Sequence, residues 1–413
     1  MSIFNFSNYK HYFNKVADQT YFRLIILAFA LLTMNTSFSS CNLFNKKTAE
    51  TTDSIAPYSL PTPPKISEQA TEKLYATCDY WYNTFLKNSG FNGGIIVAKS
   101  GNIVFERYHG TAHLQQKDTI NANTPLHIAS VSKTFTAMTV LKLWQDKLFN
   151  LDDEYSKYFP GFNFPGVTIR TLLNHRSGLP NYVYFMDELG WDKNIYVTNQ
   201  DVLNCLINRK SELKNIEHPN RHFTYCNTNF VLLALLIEKL TNTTYPAYLK
   251  KVIFDPLQMK NTFVYTSADS AKTNPSYDWR GQQAAFINLD KVYGDKNIFS
   301  TPEDLLKWDR LLSTTQFLSE PTLNEVYKPY SNERAGIRNY GLGWRMYIFP
   351  DGYKIIYHNG WWHGSNAVFI RLIKEDATII VIGNKYNRNI YKARDLISIL
   401  SQSKNITSAD DGE

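Results

Sequence analysis

The sequence predicts an α+β fold in which strands from both ends of the chain join one antiparallel β-sheet, with flanking helices and a mainly helical insertion. Three observations predict it: a hairpin pattern follows residue 92, β-branched runs recur across residues 354–382, and helical patterns fill the region between them. Strand and helix patterns do not alternate regularly along the chain, which disfavours a parallel sheet of the dinucleotide-binding kind.

The sheet strands are indicated at both ends of this region. Residues 93–98 and 103–105 are apolar runs that flank Lys99-Ser-Gly-Asn102, a turn sequence with glycine, and so predict a hairpin. Three further runs rich in β-branched residues predict strands at 354–357, 367–372 and 378–382. We expect the strands from the two ends to join one antiparallel sheet.

Two helices are indicated most clearly between these strands. Residues 131–144 carry apolar side chains at spacings of three and four, which predicts a helix with one buried stripe. Ser300-Thr-Pro-Glu303 places a proline in a first turn with an acidic residue after it. This start signal predicts a helix that continues through Leu312.

The composition is that of a globular protein. Of 413 residues, 43% are hydrophobic and 20% are charged, so the chain can bury a sizeable core. The net charge of +7 is mild at this length and no dense basic stripe occurs, so we expect no nucleic-acid partner. The four cysteines are too scattered for a metal site, and Pro219 breaks the helix that a zinc pair of His218 and His222 would need. We therefore expect no metal and no cofactor.

The first forty residues are typical of a secretory signal peptide. Basic residues precede the apolar run 24–32, and small polar residues follow it. The run is about half the roughly 20 residues that a membrane-spanning helix needs. Phe38-Ser-Ser-Cys41 resembles a bacterial lipobox, whose cysteine is lipidated and becomes the new N-terminus. The alternative is a plain signal peptide that leaves Cys41 as a free thiol.

Composition also sets the remaining boundaries. Residues 41–65 are rich in Thr, Ser, Pro and Lys and end in Pro-Thr-Pro-Pro64, which predicts a solvated tether. No second linker follows, so residues 66–403 are expected to form one domain, and 404–413 a short tail. We expect an exported protein that an N-terminal lipid holds in the periplasm or at the outer membrane of a bacterium.

The first motif with chemical meaning is Ser130-Val-Ser-Lys133, at the start of a predicted helix. Residue i+3 lies one turn above residue i, so the Lys133 amine can approach the Ser130 hydroxyl. A serine becomes a nucleophile when a neighbouring base takes its proton, and a desolvated lysine can be that base. By spacing alone, an N-cap serine with a surface lysine is the alternative, because the same spacing recurs elsewhere in the chain.

The second motif is Tyr225-Cys-Asn227. A tyrosine hydroxyl can relay a proton when cations lie close to it, and an asparagine amide can hold a substrate amide or carbonyl. Taken alone, the motif is equally typical of a turn with a packed tyrosine. Cys226 is expected only to pack.

The third motif is His358-Asn-Gly-Trp361, directly after the strand that ends at Tyr357. We expect Gly360 to let a substrate backbone lie close to the chain, and the backbone N–H of Trp361 to donate to an oxyanion. A β-turn with exposed aromatic side chains is the alternative.

In this order, the three motifs resemble those of the serine β-lactamase and penicillin-binding protein superfamily. More narrowly, they are similar to the group that holds class C β-lactamases, D-alanyl-D-alanine carboxypeptidases, D-aminopeptidases and related esterases. The resemblance covers about residues 70–390, since further segments follow in the family's order at 94–102, 151–153, 172–180, 254–262, 298–305 and 340–344.

The resemblance implies roles for the catalytic residues. Ser130 would be the acylated nucleophile, Lys133 its proton acceptor, and Tyr225 a proton relay to the leaving group. The backbone N–H groups of Ser130 and Trp361 would form the oxyanion hole.

The resemblance also implies substrate contacts. Asn227 would hold the acyl amide or carbonyl, and the segment His358, Asn359 and Gly360 would contact the substrate from the third motif. The cleft would be lined by aromatic side chains, namely Tyr182, Tyr184, Phe185, Trp191, Trp361 and Trp362.

One departure bears on the substrate. His358 and Asn359 stand where class C β-lactamases carry the lysine and threonine of Lys-Thr-Gly. A lysine there is a permanent cation for the β-lactam carboxylate, whereas an imidazole is largely neutral at pH 7. Efficient β-lactamase activity is therefore not expected.

We predict a serine hydrolase that cleaves an ester or amide through an acyl-enzyme on Ser130, with small esters or D-amino-acid peptides as substrates. The alternatives are a D,D-carboxypeptidase or weak β-lactamase, and a catalytically silent binding protein on the same fold. Neither a G-x-S-x-G elbow nor a phosphate-binding loop occurs in the sequence, which disfavours other hydrolase and nucleotide-binding classes. The expected partners are a small-molecule or peptide substrate and, through the lipid, a membrane.

Overall fold

The strands come from both ends of the folded region, as the sequence predicts. A computed structural model describes residues 55–401 of the chain. The strands in this range are β1 (Gly93–Lys99), β2 (Asn102–His109), β3 (Thr111–His113), β4 (Asp118–Thr119), β5 (Leu126–His127), β6 (Phe263–Val264), β7 (Ile298–Ser300), β8 (Arg338–Tyr340), β9 (Arg345–Ile348), β10 (Lys354–Trp362), β11 (Ser365–Leu372) and β12 (Ala377–Gly383).

The main sheet of this region has the strand order β2-β1-β12-β11-β10-β9-β8. The predicted hairpin β1-β2 pairs through β1 with β12, the last strand, and every neighbouring pair is antiparallel. Short strands form a second sheet, β5-β7-β6, and a two-stranded ribbon, β3-β4. The predicted α+β fold class and the joining of the two chain ends in one sheet are confirmed.

The sheet separates two hydrophobic cores. Successive side chains of a strand point to opposite faces, and in β1 Ile96 and Ala98 belong to one core while Ile95 and Val97 belong to the other. Every residue of β12 is buried. Strands covered on both faces lose the alternation of apolar and polar residues, which explains the continuous β-branched runs in the sequence.

The helices lie mainly between β5 and β8. In the described range they are α1 (Glu68–Trp81), α2 (Ser132–Gln145), α3 (Ile169–Leu173), α4 (Tyr182–Glu188), α5 (Asn199–Asn208), α6 (Asn227–Thr241), α7 (Tyr245–Leu249), α8 (Pro302–Leu312), α9 (Glu320–Val326) and α10 (Ile397–Leu400). The predicted start of α8 is confirmed, because the Thr301 side chain accepts from the backbone N–H of Asp304 at 3.2 Å.

Helix α2 differs from its prediction. The apolar spacing indicates one buried stripe, but ten of its consecutive residues, from Ser132 to Leu141, are all buried. The helix is therefore enclosed on all sides at its N-terminal half. Its polar side chains are satisfied internally: Thr136 donates to the carbonyl of Gly294 at 2.6 Å, and Thr139 to that of Phe135 at 2.8 Å.

The end of the predicted tether contacts the domain. The Tyr58 hydroxyl donates to the carbonyl of Val252 at 3.0 Å, and the Tyr58 ring meets Phe317 edge-on at 6.2 Å. Further along, the Asn102 side chain donates to the carbonyl of Pro64 at 2.8 Å. The residues from 58 to 64 are thus bonded to the domain, whereas a solvated tether is predicted to extend to residue 65.

The predicted signal peptide at 1–40, the lipidation site Cys41 and the tail at 404–413 lie outside the described residues. Across residues 55–401, none of the helices combines the length and the apolar character needed to cross a bilayer.

Candidate active site

The nucleophile candidate Ser130 lies in a short 3₁₀ turn, Ala129–Val131, that leads from β5 into α2. Lys133 is in the first turn of α2, and its Nζ lies 3.2 Å from Ser130 Oγ. The lysine is fully buried. The spacing of three therefore brings the two side chains into contact, and the alternative of a surface lysine is wrong.

Two further acceptors fix the Lys133 amine. Nζ donates to Asn227 Oδ1 at 2.8 Å and to the backbone carbonyl of Asp295 at 2.8 Å. Because both partners can only accept, they occupy two of the amine hydrogens in either protonation state. The remaining direction points to Ser130 Oγ. A charged amine donates there, and a neutral amine can accept the hydroxyl proton.

Tyr225 lies directly before α6, so the second motif reaches the site from a different helix than the first. Its ring centroid is 5.0 Å from Lys133 Nζ and 5.1 Å from the guanidinium carbon of Arg345. The cations that a proton-relaying tyrosine needs are therefore in place. Asn227, the first residue of α6, is held against Lys133 as described above.

His175 supports this tyrosine, and sequence reasoning missed it although the segment Leu172–Pro180 carries the family resemblance. Its ring centroid is 4.4 Å from that of Tyr225, and its Nδ1 accepts from the backbone N–H of Cys226 at 3.1 Å. Burial, together with the Lys133 charge, places the pKa of His175 well below its usual value. A neutral imidazole can accept at Nδ1, as this contact requires.

The third motif lies inside β10, which continues to Trp362, whereas the sequence predicts that the strand ends at Tyr357; the alternative of a β-turn is wrong. β9 pairs only with residues 354–357 of β10, and the nucleophile turn lies against the part that follows. A Cβ atom on Gly360 would lie 2.4 Å from the carbonyl oxygen of Ile128 and 3.1 Å from the backbone N of Ser130. Gly360 therefore permits close approach of the protein's own nucleophile turn, whereas the prediction assigned this space to a substrate backbone. The close approach places Gly360, the residue before Trp361, against the backbone of Ser130.

His358 is fully buried beside the site. Its Nε2 lies 3.4 Å from the Tyr340 hydroxyl, and its Nδ1 lies 2.7 Å from the backbone carbonyl oxygen of the next residue, Asn359. Burial, then the charges of Arg345 and Lys133, hold the pKa of His358 well below its usual value. The imidazole is neutral at pH 7, as the sequence predicts.

Asn359 and Trp361 alternate with His358 along β10, and both line a cavity of about 410 Å³ beside Tyr386 and Arg388. Successive side chains point to opposite faces, so this cavity lies on the other face of β10 from His358. The Trp361 ring is 62% exposed. The predicted substrate contact of Asn359 thus falls on a different face from the nucleophile turn that Gly360 touches.

The third motif has a histidine where class C β-lactamases have a lysine, and a positively charged side chain is supplied instead by Arg345 of β9. Arg345 directly follows the segment Tyr340–Trp344, and its guanidinium lies over the Tyr225 ring. It also acts on His358 and His175, lowering the pKa of both. The sequence offered one signal, the position of an arginine right after a family-like segment, but only the strand pairing brings it to Tyr225.

Not all predicted aromatic side chains line a cleft. Tyr182 and Phe185 are buried, because α4 packs them into the core. The Tyr182 hydroxyl donates to Asp295 Oδ2 at 3.0 Å and is also bonded to the buried amine of Lys296. Tyr184 is exposed, and Trp191 packs partly against the core. Residue type alone did not show whether these aromatic side chains pack into the core from an amphipathic helix or line a cleft.

Cys226 packs, as predicted. Its thiol donates to the carbonyl of Leu179 at 3.3 Å, and burial raises the pKa of the thiol to about 11. Cys78 and Cys205 are likewise free and buried, so the cysteines of the described chain form no disulfide with one another.

Comparison with known proteins identifies the family of this chain. The family model described as Beta-lactamase matches residues 82–403. The chain belongs to this family. Penicillin-binding protein 4* of Bacillus subtilis (strain 168) is 31% identical over 339 residues, which are 76% of this chain and 74% of that protein. The chain is thus a serine hydrolase of the β-lactamase and penicillin-binding protein superfamily, as the motifs predict.

Solved structures share the fold. A penicillin-binding protein from Bacillus halodurans has a TM-score of 0.69 at 23% identity, covering 77% of this chain and 98% of its own. A D-amino acid amidase from Ochrobactrum anthropi SV3, complexed with L-phenylalanine amide, has a TM-score of 0.64 at 21% identity, covering 81% and 98%. Within residues 55–401 of this β-lactamase family member, His, Cys, Asp and Glu side chains form no cluster of three or more that could hold a metal ion.

Proposed function

We propose that this chain cleaves an amide bond through an acyl-enzyme on Ser130. Lys133 accepts the hydroxyl proton as Ser130 Oγ bonds to the carbonyl carbon, and Tyr225 delivers a proton to the leaving nitrogen as the C–N bond breaks. The N–H groups of Ser130 and Trp361 stabilise the oxyanion, and water then hydrolyses the ester. The observation that carries this proposal is the Lys133 amine, fixed by two acceptors with its third direction 3.2 Å from Ser130 Oγ.

The charge beside Tyr225 supports a leaving group with a carboxylate. Tyr225 donates its proton to the leaving group, so the guanidinium of Arg345 over its ring lies on the leaving-group side. Arginine binds carboxylates strongly through its planar N–H groups. A C-terminal amino acid or a β-lactam carries such a carboxylate, whereas the alcohol of a simple ester does not. The site therefore favours a peptide substrate over the small esters that the sequence leaves open.

The relatives support a D-configured peptide. One of them is named a penicillin-binding protein, and a structural neighbour is a D-amino acid amidase. We therefore propose a D,D-carboxypeptidase type of reaction, which releases a C-terminal D-amino acid, with β-lactams as slowly released acylating agents.

Covalent labelling tests the nucleophile. Incubation of the native protein with a labelled penicillin or a fluorophosphonate should add one label mass, and Ser130→Ala should abolish it. Ser132→Ala is a matched control, because that hydroxyl accepts from the backbone N–H of Ile298 at 3.1 Å and does not face Lys133. Undiminished labelling of a folded Ser130→Ala variant would overturn the proposal.

A matched pair of peptides tests the substrate class. The native enzyme should cleave a D-alanyl-D-alanine peptide with a free carboxylate better than its C-terminal amide. Arg345→Gln should lower kcat/KM for the acid about 100-fold and leave the amide almost unchanged, since a charged contact that the substrate shields from water is worth about 3 kcal/mol. Arg338→Gln, at an exposed position of β8, is the control. Equal rates of the native enzyme on both peptides would contradict the proposed recognition of the carboxylate but not the proposed acyl-enzyme.

We also propose export and lipid anchoring at Cys41, because basic residues, a short apolar run and a lipobox-like sequence follow one another in that order. In a bacterial host, the native protein should fractionate with membranes and Cys41→Ser should be released into the soluble fraction. Membrane retention of Cys41→Ser would contradict the anchor.

A further inference from the structure

A second cavity, of about 290 Å³, is lined by Trp362 of β10 and by His127, which lies three residues before Ser130. We name it the aspartate pocket. Polar residues, Asp290 and His363 among them, line it together with four aromatic side chains, namely Tyr265, Phe286, Phe299 and Trp362.

Strand β10 places this pocket relative to the chemistry. His358, Gly360 and Trp362 share one face of β10, because alternate residues point the same way. Gly360 touches the nucleophile turn, His358 lies with Arg345 and Tyr225, and Trp362 borders the aspartate pocket. At about 3.3 Å per residue, the two flanking positions lie roughly 7 Å to either side of Gly360. His127, three residues before Ser130, also lines the pocket.

The two sides of the nucleophile therefore receive different parts of the substrate. If the leaving group lies beside Tyr225 and Arg345, the acyl part extends the other way along β10. The aspartate pocket is the cavity that it meets there.

The carboxylate of the pocket, Asp290, is almost fully buried and is paired with the imidazole of His363. Asp290 Oδ1 accepts from Trp362 Nε1 at 2.6 Å, and both carboxylate oxygens lie 3.0 Å from His363 Nε2. Burial alone would raise the pKa of Asp290, but the hydrogen bond and the charge of His363, with the hydrogen bonds from the Ile287 backbone and Trp362, hold it below its usual value. No lysine or arginine is among the residues that line the pocket in the described chain.

A cation that contacts the pocket wall is already paired. Lys296 Nζ lies 4.7 Å from the centroid of the Trp362 ring. Its charge is balanced by Asp295 at 3.5 Å and by a hydrogen bond to the Tyr182 hydroxyl. His127 adds no charge at pH 7, because burial lowers its pKa to about 4. Lys296 is therefore paired with Asp295, and His363 is the ionisable partner that remains for Asp290.

Aromatic faces and a carboxylate favour the same ligand. The faces of aromatic rings attract cations, most strongly where water is excluded, and a carboxylate adds a charged acceptor. We propose that the aspartate pocket binds an ammonium group carried by the acyl part of the substrate. This inference rests on the proposed function, because it needs an acyl part that extends away from Arg345. A substrate that fits both sides carries an ammonium on its acyl residue and a carboxylate on its leaving residue.

Two peptides that differ only in charge test this. One carries a free amine on the acyl residue, and in the other that amine is acetylated; both keep the C-terminal D-alanine carboxylate. Native enzyme should show at least about a ten-fold higher kcat/KM for the free amine, mainly through KM. Asp290→Asn should abolish that preference.

Asp290 also accepts from the backbone N–H of Ile287, so its replacement can disturb folding. Gln283 avoids this difficulty, since it is an exposed residue that lines the same pocket. Gln283→Glu should raise the preference for the free amine and Gln283→Lys should lower it, each about three-fold or more. Gln282→Glu carries the same charge change one residue away, outside the pocket lining, and serves as the control.

The outcomes separate the two proposals. If the free and acetylated peptides react equally and the Gln283 variants do not shift the ratio of their rates, the proposed ammonium site is wrong. Hydrolysis of both peptides would still support the proposed function. A preference for the acetylated peptide, or for a neutral aromatic acyl residue, would also overturn it. If neither peptide reacts and no label enters Ser130, the proposed function itself fails.

Discussion

The two sides of the nucleophile along β10 are built from similar parts but carry opposite charge. On the leaving-group side, a buried neutral histidine, His358, lies beside Arg345. On the acyl side, a buried neutral histidine, His127, lines a pocket whose charge comes from Asp290. In both places the histidine is kept uncharged by burial, and another residue supplies the charge.

The difference teaches how one strand can orient a substrate. β10 contributes a contact on each side and, at Gly360, the approach to the nucleophile. A substrate with a positive acyl end and a negative leaving end matches the two sides in one direction only. Reversal would put each charge beside its own sign, which is unfavourable in a partly buried site.

The largest expected effect comes from a substitution at Gly360, which lies between the two sides. Gly360→Ala forces β10 away from the nucleophile turn, because its Cβ would lie 2.4 Å from the Ile128 carbonyl oxygen. We expect kcat/KM to fall by about 100-fold or more for every substrate alike, since misplacement by about 1 Å has that cost. Steady-state kinetics with the charged and the blocked peptides check this.

Gly383→Ala is the control for that change. Its Cβ would lie 3.2 Å from the nearest backbone atom, so the same methyl group enters the same sheet with a much smaller displacement. A Gly360→Ala variant that lost activity on one peptide only would show that β10 does not position both sides together.

A smaller effect is expected at His358. His358→Gln keeps a neutral, hydrogen-bonding side chain, so kcat/KM should fall by less than about ten-fold, far less than for Arg345→Gln. Kinetics of the two variants on the free-carboxylate peptide make the comparison. A loss at His358 that equals the loss at Arg345 would show that the imidazole acts on the substrate itself.

The smallest effect on activity, but a clear one on stability, concerns pH. The pKa of a buried neutral histidine is lower in the folded state than in the unfolded state, so the unfolded state binds more protons as pH falls below about 6.5. The free energy of unfolding should therefore decrease below that pH. For His127, with a folded pKa of about 4, the full loss is about 3 kcal/mol between pH 6.5 and 4.

Urea unfolding at pH 7, 6 and 5 measures this slope. His127→Gln should flatten it by up to about 1.4 kcal/mol per pH unit, and His358→Gln should do the same on the other side. An unchanged slope in both variants would mean that these imidazoles are not kept neutral in the folded protein.

Much of the site was predictable because its residues are fixed by local patterns. The spacing of Ser130 and Lys133 determines their contact on a helix, and the β-branched runs at both ends of the domain indicate the strands that join. The neutral state of the His358 imidazole at pH 7 was predicted from its residue type, and its burial, which lowers the pKa, agrees with that prediction.

Other features depend on contacts between distant segments, which no local pattern contains. Arg345 reaches Tyr225 only because β9 pairs with β10, and Asp290 meets His363 across 73 positions of sequence. The burial of Tyr182 depends on Asp295 and Lys296, which lie more than a hundred residues later. Gly360 was recognised as a site of close approach, but which chain approaches it required the fold.

The buried cysteines offer a practical route to these measurements. Thiolates, not thiols, react with alkylating probes, and burial raises the pKa of Cys78 to about 12 and of Cys226 to about 11. Within residues 55–401 the native cysteines should therefore stay unmodified in the folded protein. A cysteine introduced at Gln283 would then take a fluorescent or spin label at the rim of the aspartate pocket, and its signal would report occupancy directly.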